Sequence, residues 1–470
     1  MSATVRVVKP VAPGLEDLLE AIAEAARTLD AEAYLVGGFV RDRLLGATLT
    51  KGGDLKDVDI VTVGMDPMPL LAAVASAFGW HPPERFERFG TAQIRGSRFV
   101  VEGVRARAER YDPDSRNPDV RPGTLEEDIR RRDFTVNALC QTLDGAVIDI
   151  TGMGLDDLRA GVLRTPLEPA ETFAEDPLRM YRAARFVARL GFALAPGTID
   201  AMRAQAGRTS ILSVERVSEE LRRLLVAPHP RAGIEVLREA GLLEQVLPEL
   251  ITAIDVEQSG FHTFDVYEHT LVALDAAPPD LVTRTAVLLH DIGKPSTHAL
   301  AADGRHTFYD HAQVGAEMAR AILTRWRFSN DEIAAVTALV RLHLRPIQYD
   351  RATFSDAAVR RMIRDAGDLR ARMLDVARAD TIASAYPTLE EIDELEARMA
   401  TLDAGGVVSA MRDPLTGDAL MAIAGRGPGP WVGVVKAALR EAVLDGTIPP
   451  GDERSARAWL DEHRELLAGA

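Results

Sequence analysis

The sequence is poor in cysteine, in basic charge and in long apolar runs. Its 470 residues include one cysteine, Cys140. A single thiol excludes an intramolecular disulfide and a cysteine-rich zinc site, and it fits a reducing cytoplasm. The opening MSATVRVVKP holds no apolar core of signal-peptide length, and no window approaches the roughly 18 apolar residues of a membrane span. A soluble, cytoplasmic protein with no membrane partner is expected. The formal net charge of -16 argues against a broad electrostatic grip on nucleic acid. Any such contact must run through local patches. One is the stretch 176–210, where six arginines face only two acids, Asp176 and Asp200. Internal repeats and low-complexity tracts are absent as well.

The rest of the composition is ordinary for a globular chain, with 47% hydrophobic and 27% charged residues. The length predicts roughly two to four domains. Apolar spacing predicts an amphipathic helix over 14–29, and AYLV is a short strand. Gly37-Gly38 follows it, then FVRDRLLG as a helix ending at Gly46. The segment DLKDVDIVTV, 54–63, starts after Gly52-Gly53 and reads as a strand. PLLAAVASAFGW is a further helix, and TAQIRG with RFVVEGVRAR predicts a hairpin about Gly96-Ser97. After LRTPLEPAE the pattern turns helical and stays so to the end, with RGPGPWVG as a helix–helix junction.

Side chains on a strand alternate faces, so Asp57 and Asp59 point one way and Val58, Ile60 and Thr62 the other. Two carboxylates side by side repel unless something positive lies between them. A divalent metal is one such partner, because magnesium takes hard oxygen ligands and often only one or two carboxylates plus substrate phosphates. Two metals shared by such a pair stabilise both the attacking and the leaving oxygen of a phosphoryl transfer. Glu102, on VVEGV, is a candidate third carboxylate from a neighbouring strand. Gly37-Gly38, between strand and helix, offers backbone N–H groups to a phosphate, and Arg41 lies one turn further in. Taken singly, each signal has a plain alternative: a solvated edge strand or a tight turn.

Together, LVGGFVRDRLLG, KDVDIVT, RRRDFTVNAL and EDPLRMYRAARFVARLGF form a much rarer series. It resembles the class II tRNA nucleotidyltransferases and bacterial poly(A) polymerases of the polymerase-β-like superfamily. Weaker similarity continues through ERVSEELRRLL toward the C-terminus. The resemblance implies that Asp57 and Asp59 hold Mg²⁺ and that Gly37, Gly38 and Arg41 face the triphosphate. It further implies that Arg132, Asp133 and Asn137 contact the sugar and phosphates. One departure stands out: EGVRAR replaces a pattern nearer E-V-T-T-x-R, with Glu102 and Arg107 aligned but Gly103 and Arg105 unusual.

Asp176 and Arg179 are three apart, so on a helix they share a face. Aspartate only accepts and arginine only donates hydrogen bonds. Cytosine and adenine both present an amino donor beside a ring-nitrogen acceptor, so one Asp–Arg pair satisfies either. Uracil and guanine present the reverse, leaving buried polar groups unpaired at about 1–3 kcal/mol each. The resemblance assigns these residues that role, and the plain alternative is a surface ion pair. Arg182, Arg185 and Arg189 continue the helix as candidates for the tRNA backbone or the incoming triphosphate, or else a solvated face.

Seven of the ten histidines lie between 262 and 343. In LLHDIGKP, His290 and Asp291 end an apolar helix. Imidazole and carboxylate together suit divalent transition metals and can activate water. The arrangement resembles the HD phosphohydrolase superfamily. That likeness implies a metal quartet of His269, His290, Asp291 and Asp380, with His311 and His343 completing a two-metal variant. His262, His298 and His306 are background.

The expected fold class is α+β: a polymerase-β-like α/β nucleotidyltransferase head (1–150), a helical neck carrying the base-recognition motif (151–225), a helical linker (226–260), an HD domain (261–385) and a helical tail (386–470). The expected reaction is template-independent addition of C and A from CTP and ATP to the 3' end of tRNA, with pyrophosphate leaving. Mg²⁺ serves the head and a divalent metal the HD site, with a possible phosphohydrolase activity there. CC-only, A-only or poly(A) addition remains open, since HPPERFERFG, in the stretch between the metal strand and RRRDF, does not decide it. An HD phosphohydrolase with a vestigial head and a non-catalytic RNA-binding protein are the readings outside this class. Oligomeric state is not legible.

Overall fold

The computed structural model describes residues 14–46, 56–86, 90–110, 119–258, 264–385, 388–404, 408 and 413–468. The Gly52-Gly53 pair, residues 54–55 of the expected strand, residues 87–89 of HPPERFERFG and His262 lie outside the described residues. The chain divides into two compact units, Met1–Leu243 and Glu244–Ala470.

The first unit opens with α1 (Leu15–Thr28), β1 (Glu32–Val36), α2 (Gly38–Leu44), β2 (Lys56–Val63) and α3 (Pro67–Phe78). Next come β3 (Glu84–Phe86), β4 (Thr91–Arg95), β5 (Phe99–Arg105), the β6 (Arg107–Arg110) and β7 (Asp119–Pro122) pair, and α4 (Leu125–Arg130). With β8 (Cys140–Thr142) and β9 (Val147–Ile148) they build a seven-stranded sheet in the order β3-β4-β5-β2-β1-β8-β9. The β2–β5 pair is parallel, and the others are antiparallel. Local chemistry fixes the helices. Asp66 caps α3 by accepting from the Met68 N–H at 2.8 Å, Pro67 starts it, and Gly79 ends it at φ 64. Leu70, Leu71 and Val74 of α3 are fully buried, each contributing about 2 kcal/mol of apolar burial. Thr124 and Glu127 close a capping box on α4.

The β2–β5 register places Asp59 beside Glu102 and Val58 beside Val101. One face of β2 therefore carries Asp57, Asp59 and, further along, Val61. The opposite face carries Val58 and Ile60, both fully buried, and on the neighbouring strands β4 and β5 it is covered by α3. Gly103 lies on that covered face. A Cβ there would meet the Pro67 Cβ at 2.8 Å and Leu71 Cδ1 at 3.2 Å, so the close seating of α3 requires glycine. Arg105 donates to the Gly64 carbonyl at 3.2 Å, tying down the turn after β2. Both departures in EGVRAR thus have local structural reasons.

The unit continues with α5 (Gly154–Ala160), β10 (Val162–Leu163), α6 (Pro169–Glu175), α7 (Leu178–Leu190), β11 (Ala193–Leu194), α8 (Thr198–Gln205), α9 (Val214–Leu225) and α10 (Pro230–Glu239). Helix α7 packs between α9 and α10. The expectation of unbroken helix after LRTPLEPAE, residues 163–171, is corrected here, because β11 (Ala193–Leu194) pairs in parallel with β10.

The single-turn helices α11 (Leu243–Val246) and α12 (Pro248–Ile251) lead into the second unit. It holds α13 (Val266–Ala276), α14 (Leu281–Leu289), α15 (Lys294–Thr297), the short antiparallel pair β12 (Ala299–Leu300) and β13 (His306–Thr307), α16 (His311–Arg325), α17 (Asn330–Leu342), α18 (Leu344–Ile347), α19 (Asp356–Ala366) and α20 (Arg370–Ile382). Helices α13, α14, α17 and α20 pack together. The tail comprises α21 (Glu390–Leu402), α22 (Gly417–Ala424), α23 (Pro430–Leu444), α24 (Glu453–Glu462) and α25 (Glu465–Ala468). Trp431, Val435, Leu439 and Leu460 form its own apolar cluster. The expected junction at RGPGPWVG is the break between α22 and α23. Among the described residues no helix is long and apolar enough to cross a membrane.

Candidate functional site

On the head sheet, Asp57 is exposed, Asp59 is half-buried, and the strand then runs into fully buried Val61. Val61 packs with Ile129 of α4, Val36, Ala138 and Cys140. The apolar cluster holds β2 rigidly while its other end presents the carboxylates. Burial, with Glu102 and Asp57 adding repulsion, pushes the Asp59 carboxyl up to about 6 against the pull of Arg132. Burial and then Asp57 raise Glu102 as well. Asp59 is thus short of positive charge, the condition a dication relieves. Gly37 sits at φ 71, and a Cβ there would lie 3.2 Å from Arg132 Nη1 and 3.3 Å from Asp59 Oδ2. Glycine is required twice over, for the backbone and for the approach. The structure brings Asp57, Asp59, Glu102, Gly37 and Arg132 into one neighbourhood. Arg132 is steadied from behind by buried Asp128, at 3.1 Å, which also binds Arg131 at 2.6 Å.

The other expected nucleotide contacts form a largely buried network. Arg41 is buried and bonds Asn137 Oδ1 and, at 2.6 and 2.8 Å, Asp42 Oδ1. Asn137 donates to Asp133 Oδ1 at 2.9 Å, and Arg182 donates to Asp133 Oδ2 at 2.6 and 2.8 Å. Burial would raise the Asp133 carboxyl, but Arg182 and the Asn137 hydrogen bond outweigh it and hold it at about 2. Arg185 pairs with buried Glu220 of α9 at 2.5 Å, and Arg189 with Asp42 at 2.7 Å. The guanidinium carbons of Arg41, Arg182 and Arg185 lie 5.2, 5.5 and 4.2 Å from the Phe186 ring centroid. Arg41, expected at the triphosphate, is thus committed to Asn137 and Asp42. The solvated-face alternative does not describe Arg182 and Arg185, each ion-paired to a buried carboxylate on another segment, whereas Arg189 is exposed beside Asp42.

The base-reading pair also differs from expectation. Asp176 ends α6 in an extended conformation, and α7 starts only at Leu178. The two residues therefore do not share one helix face. Asp176 accepts from the Leu178 N–H at 3.1 Å, and its other oxygen lies 3.4 Å from Arg216. Arg179 turns inward and donates to the carbonyls of Thr172 and Arg131, at 3.2 and 2.6 Å, and to Glu175 at 3.0 Å. Pro177 breaks the helix between them.

In the second unit two ligand groups meet at Asp291. His269, His290 and Asp380 form one, and Asp291, His311 and His343 the other, with the ligand atoms of each group within 4.8 Å of one another. Asp291 Oδ2 lies 3.2 Å from His290 Nε2 and 3.8 Å from His269 Nε2, while Oδ1 lies 3.5 Å from His311 and 3.7 Å from His343. Each imidazole is aimed by its Nδ1–H on a backbone carbonyl: His269 on Ala383, His290 on Val287, His311 on Phe308 and His343 on Val340. That leaves Nε2 to face the centre. Asp291 Oδ2 meets Lys294 Nζ at 2.6 Å and His290 Nε2 at 3.2 Å, whereas buried Oδ1 has no hydrogen-bond partner. Burial works against charge on His290, but Asp291 and Asp380 raise it to about 9. Burial and charged His290 push His343 down to about 4. Asp291 is held well below the carboxylate range, because His290 and Lys294 outweigh its burial. Each of the two groups has imidazole and carboxylate donors that would suit a divalent metal. All six residues expected from the sequence are brought together. Lys294, 2.6 Å from Asp291, was missed, although it stands in the HDIGKP motif one helical turn after the aspartate.

Comparison with known proteins agrees with this arrangement. Residues 33–164 match the family model of the poly A polymerase head domain, 191–254 that of a probable RNA and SrmB-binding site of polymerase A, and 260–385 that of the HD domain. The chain is 38% identical over 456 residues to the A-adding tRNA nucleotidyltransferase of Deinococcus radiodurans, covering 93% of this chain and 97% of the relative. It is 34% identical over 450 residues to the CC-adding tRNA nucleotidyltransferase of Thermus thermophilus, covering 91% and 93%. The crystal structure of the Bacillus stearothermophilus CCA-adding enzyme in complex with CTP superposes with a TM-score of 0.70 at 26% identity, covering 97% and 98%. With one sheet presenting paired aspartates against a glycine turn, a histidine–aspartate centre behind it in the chain, and near-full-length relatives of one kind, the chain belongs to the tRNA nucleotidyltransferase family.

Proposed function

We propose that this chain adds C and A from CTP and ATP to the 3' end of tRNA without a nucleic-acid template, completing or repairing a CCA end in the cytoplasm. The observation that carries this reading is the carboxylate face of β2 set against Gly37 and Arg132. Asp57 and Asp59 would hold Mg²⁺, which when bound lowers the pKa of the RNA 3'-hydroxyl and neutralises the departing oxygens. The hydroxyl oxygen bonds to the α-phosphorus, the bond to the β-phosphate oxygen breaks, and pyrophosphate leaves. The Gly37 and Gly38 backbone and Arg132 would line the triphosphate. The Arg41–Asn137–Asp133–Arg182 network fixes the floor on which the nucleotide lies. Asp176 would accept from the exocyclic amine of C or A, with the donor half of the reading supplied by Arg179 only if it leaves its present carbonyl partners. The head (1–150) performs the transfer, the neck (151–225) reads the base, the linker (226–260) and the tail (386–470) hold tRNA, and the centre of the HD domain (261–385) hydrolyses phosphoesters with a divalent metal.

The test is incubation with tRNA lacking its last three nucleotides and each labelled nucleoside triphosphate in turn. CTP and ATP are incorporated, while UTP and GTP are not. A second reading, addition of A alone or of CC alone, is favoured by the two relatives that cover more than 90% of this chain, one A-adding and one CC-adding. Parallel substrates decide it, one tRNA ending in CC and one lacking all three nucleotides.

A further inference from the structure

The carboxylate face of the head sheet extends past Glu102 onto β4. Val100 of β5 stands opposite Asp57 on one side and Arg95 of β4 on the other, as Glu102 stands opposite Asp59 and Gln93. Residues opposite one another share a face, so Arg95 lies on the same face as Asp57 and Asp59. Two strand spacings, roughly 10 Å, separate it from Asp57. Arg95 is exposed, while Ile94 and Phe99, on the opposite face, are buried. The turn that follows Arg95 is fixed. Gly96 donates its N–H to the Phe99 carbonyl at 2.9 Å, and a Cβ on Gly96 would lie 2.3 Å from Trp80 Cζ2, so the indole packs directly against the turn.

Arg41, Arg132, Arg179, Arg182, Arg185 and Arg189 are all ion-paired within the same unit. Arg95 has no ion pair or hydrogen bond among the described residues, and the cation that lowers the Asp59 carboxyl is Arg132. In a chain of net charge -16, an unpaired guanidinium on the reacting face calls for an anion from outside. In-line geometry says which. The attacking and leaving oxygens of a phosphoryl transfer lie on opposite sides of the phosphorus. Pyrophosphate would leave toward Gly37 and Arg132, on the β1 side of the two aspartates. The strand order β4-β5-β2-β1 then puts the attacking 3'-hydroxyl on the β5 side. The phosphodiester one nucleotide back from that hydroxyl is carried further the same way, over β4 and Arg95.

We propose that Arg95 binds the 3'-terminal phosphodiester of the RNA that receives the nucleotide, and so holds the hydroxyl in line. The proposal rests on the nucleotidyl-transfer reading of the head. A guanidinium on phosphate oxygens makes a charge-assisted, bidentate contact, which fixes position as well as charge. It neutralises one phosphate, and the triphosphate on the far side of the aspartates is out of its reach.

The decisive experiment compares tRNA carrying an ordinary last phosphodiester with tRNA carrying an uncharged methylphosphonate there. Each is made in two forms, one ending in CC and one lacking all three terminal nucleotides. Filter binding to the full chain across a salt series is measured for wild type, Arg95→Ala and Arg95→Lys. Arg95→Ala is expected to weaken binding of ordinary tRNA about tenfold and to flatten the salt slope by about 0.7 to 0.9, the share of one phosphate. Wild type should lose the same factor on the methylphosphonate, and Arg95→Ala nothing further. Arg95→Lys keeps the charge without the planar fork and recovers part of the loss. Affinity for CTP and ATP and the thermal melt stay at the wild-type values. Incorporation is followed alongside, with KM rising for tRNA and not for the nucleotide. If Arg95→Ala binds ordinary tRNA as wild type does, if its loss adds to that of the methylphosphonate, or if nucleotide affinity falls instead, Arg95 does not hold this phosphate. If wild type incorporates neither nucleotide while the binding difference stands, the transfer reading fails and the Arg95 assignment survives.

Discussion

Asp59 and Asp291 are the same side chain pushed in opposite directions. Asp59 stands among carboxylates, with Arg132 as its cation, and its carboxyl rises to about 6. Asp291 stands among His290, Lys294 and His269, and its carboxyl falls. The head site is all hard oxygen and partly open, chemistry that would suit a magnesium ion bound together with a triphosphate. The second centre mixes imidazole with carboxylate and is almost wholly buried, chemistry that would suit a transition metal. In the first, a metal would bring the positive charge that Asp59 lacks; in the second, a metal would bind in place of the proton that Asp291 and Asp380 favour on His290.

The strongest way to break this contrast is to remove charge without changing shape. Asp57→Asn or Asp59→Asn is expected to cut nucleotide addition by about a thousandfold or more, measured as labelled CMP and AMP incorporated into trimmed tRNA. Near-normal incorporation by either variant would remove the metal role. The mirror change, His290→Ala or Asp291→Ala, is expected to strip bound transition metal, read by elemental analysis, and to abolish metal-dependent phosphoester hydrolysis. Addition to tRNA should continue in these variants. If it stops in a well-folded variant, the two centres are coupled.

Smaller effects sharpen the comparison. Arg185→Ala leaves buried Glu220 without its partner and should cost about 3–5 kcal/mol in urea unfolding. A loss below about 1 kcal/mol would return Arg185 to the solvated face. The smallest effect concerns Asp59 in metal-free protein. Its folded pKa is raised from 3.8 to about 6, so the unfavourable ionisation is absent below pH 4, grows between pH 4 and 6, and is complete above. Asp59→Asn should therefore stabilise the metal-free chain at pH 7 by up to about 3 kcal/mol and hardly at all at pH 4. Thermal melts at the two pH values check the sign, and equal shifts at both would contradict the assigned cause.

These results also mark what the sequence made legible. The aspartate strand and its glycine turn were readable from alternation and turn chemistry, and the six residues that the structure gathers in the second centre from the resemblance to the HD superfamily. The commitments of Arg41, Arg182 and Arg185 were not, because their partners Asn137, Asp133 and Glu220 come from distant segments and only the fold brings them near. Spacing alone put Asp176 and Arg179 on one helix, whereas Pro177 divides them. The two-residue strands β10 to β13 were too short to show any period.

The backbone carbonyls that aim the histidines have one more consequence. His290, His311 and His343 each bond a carbonyl three residues earlier, and His290 and His343 lie at the C-terminal caps of α14 and α17. Ligand aim is therefore a property of the main chain at helix ends, the places where helices fray first. Each fraying event would turn an imidazole away from the centre. Metal release and amide hydrogen exchange at these helix ends should then report the same opening, and a bound ion would act as a clasp whose occupancy sets how often the helices come undone.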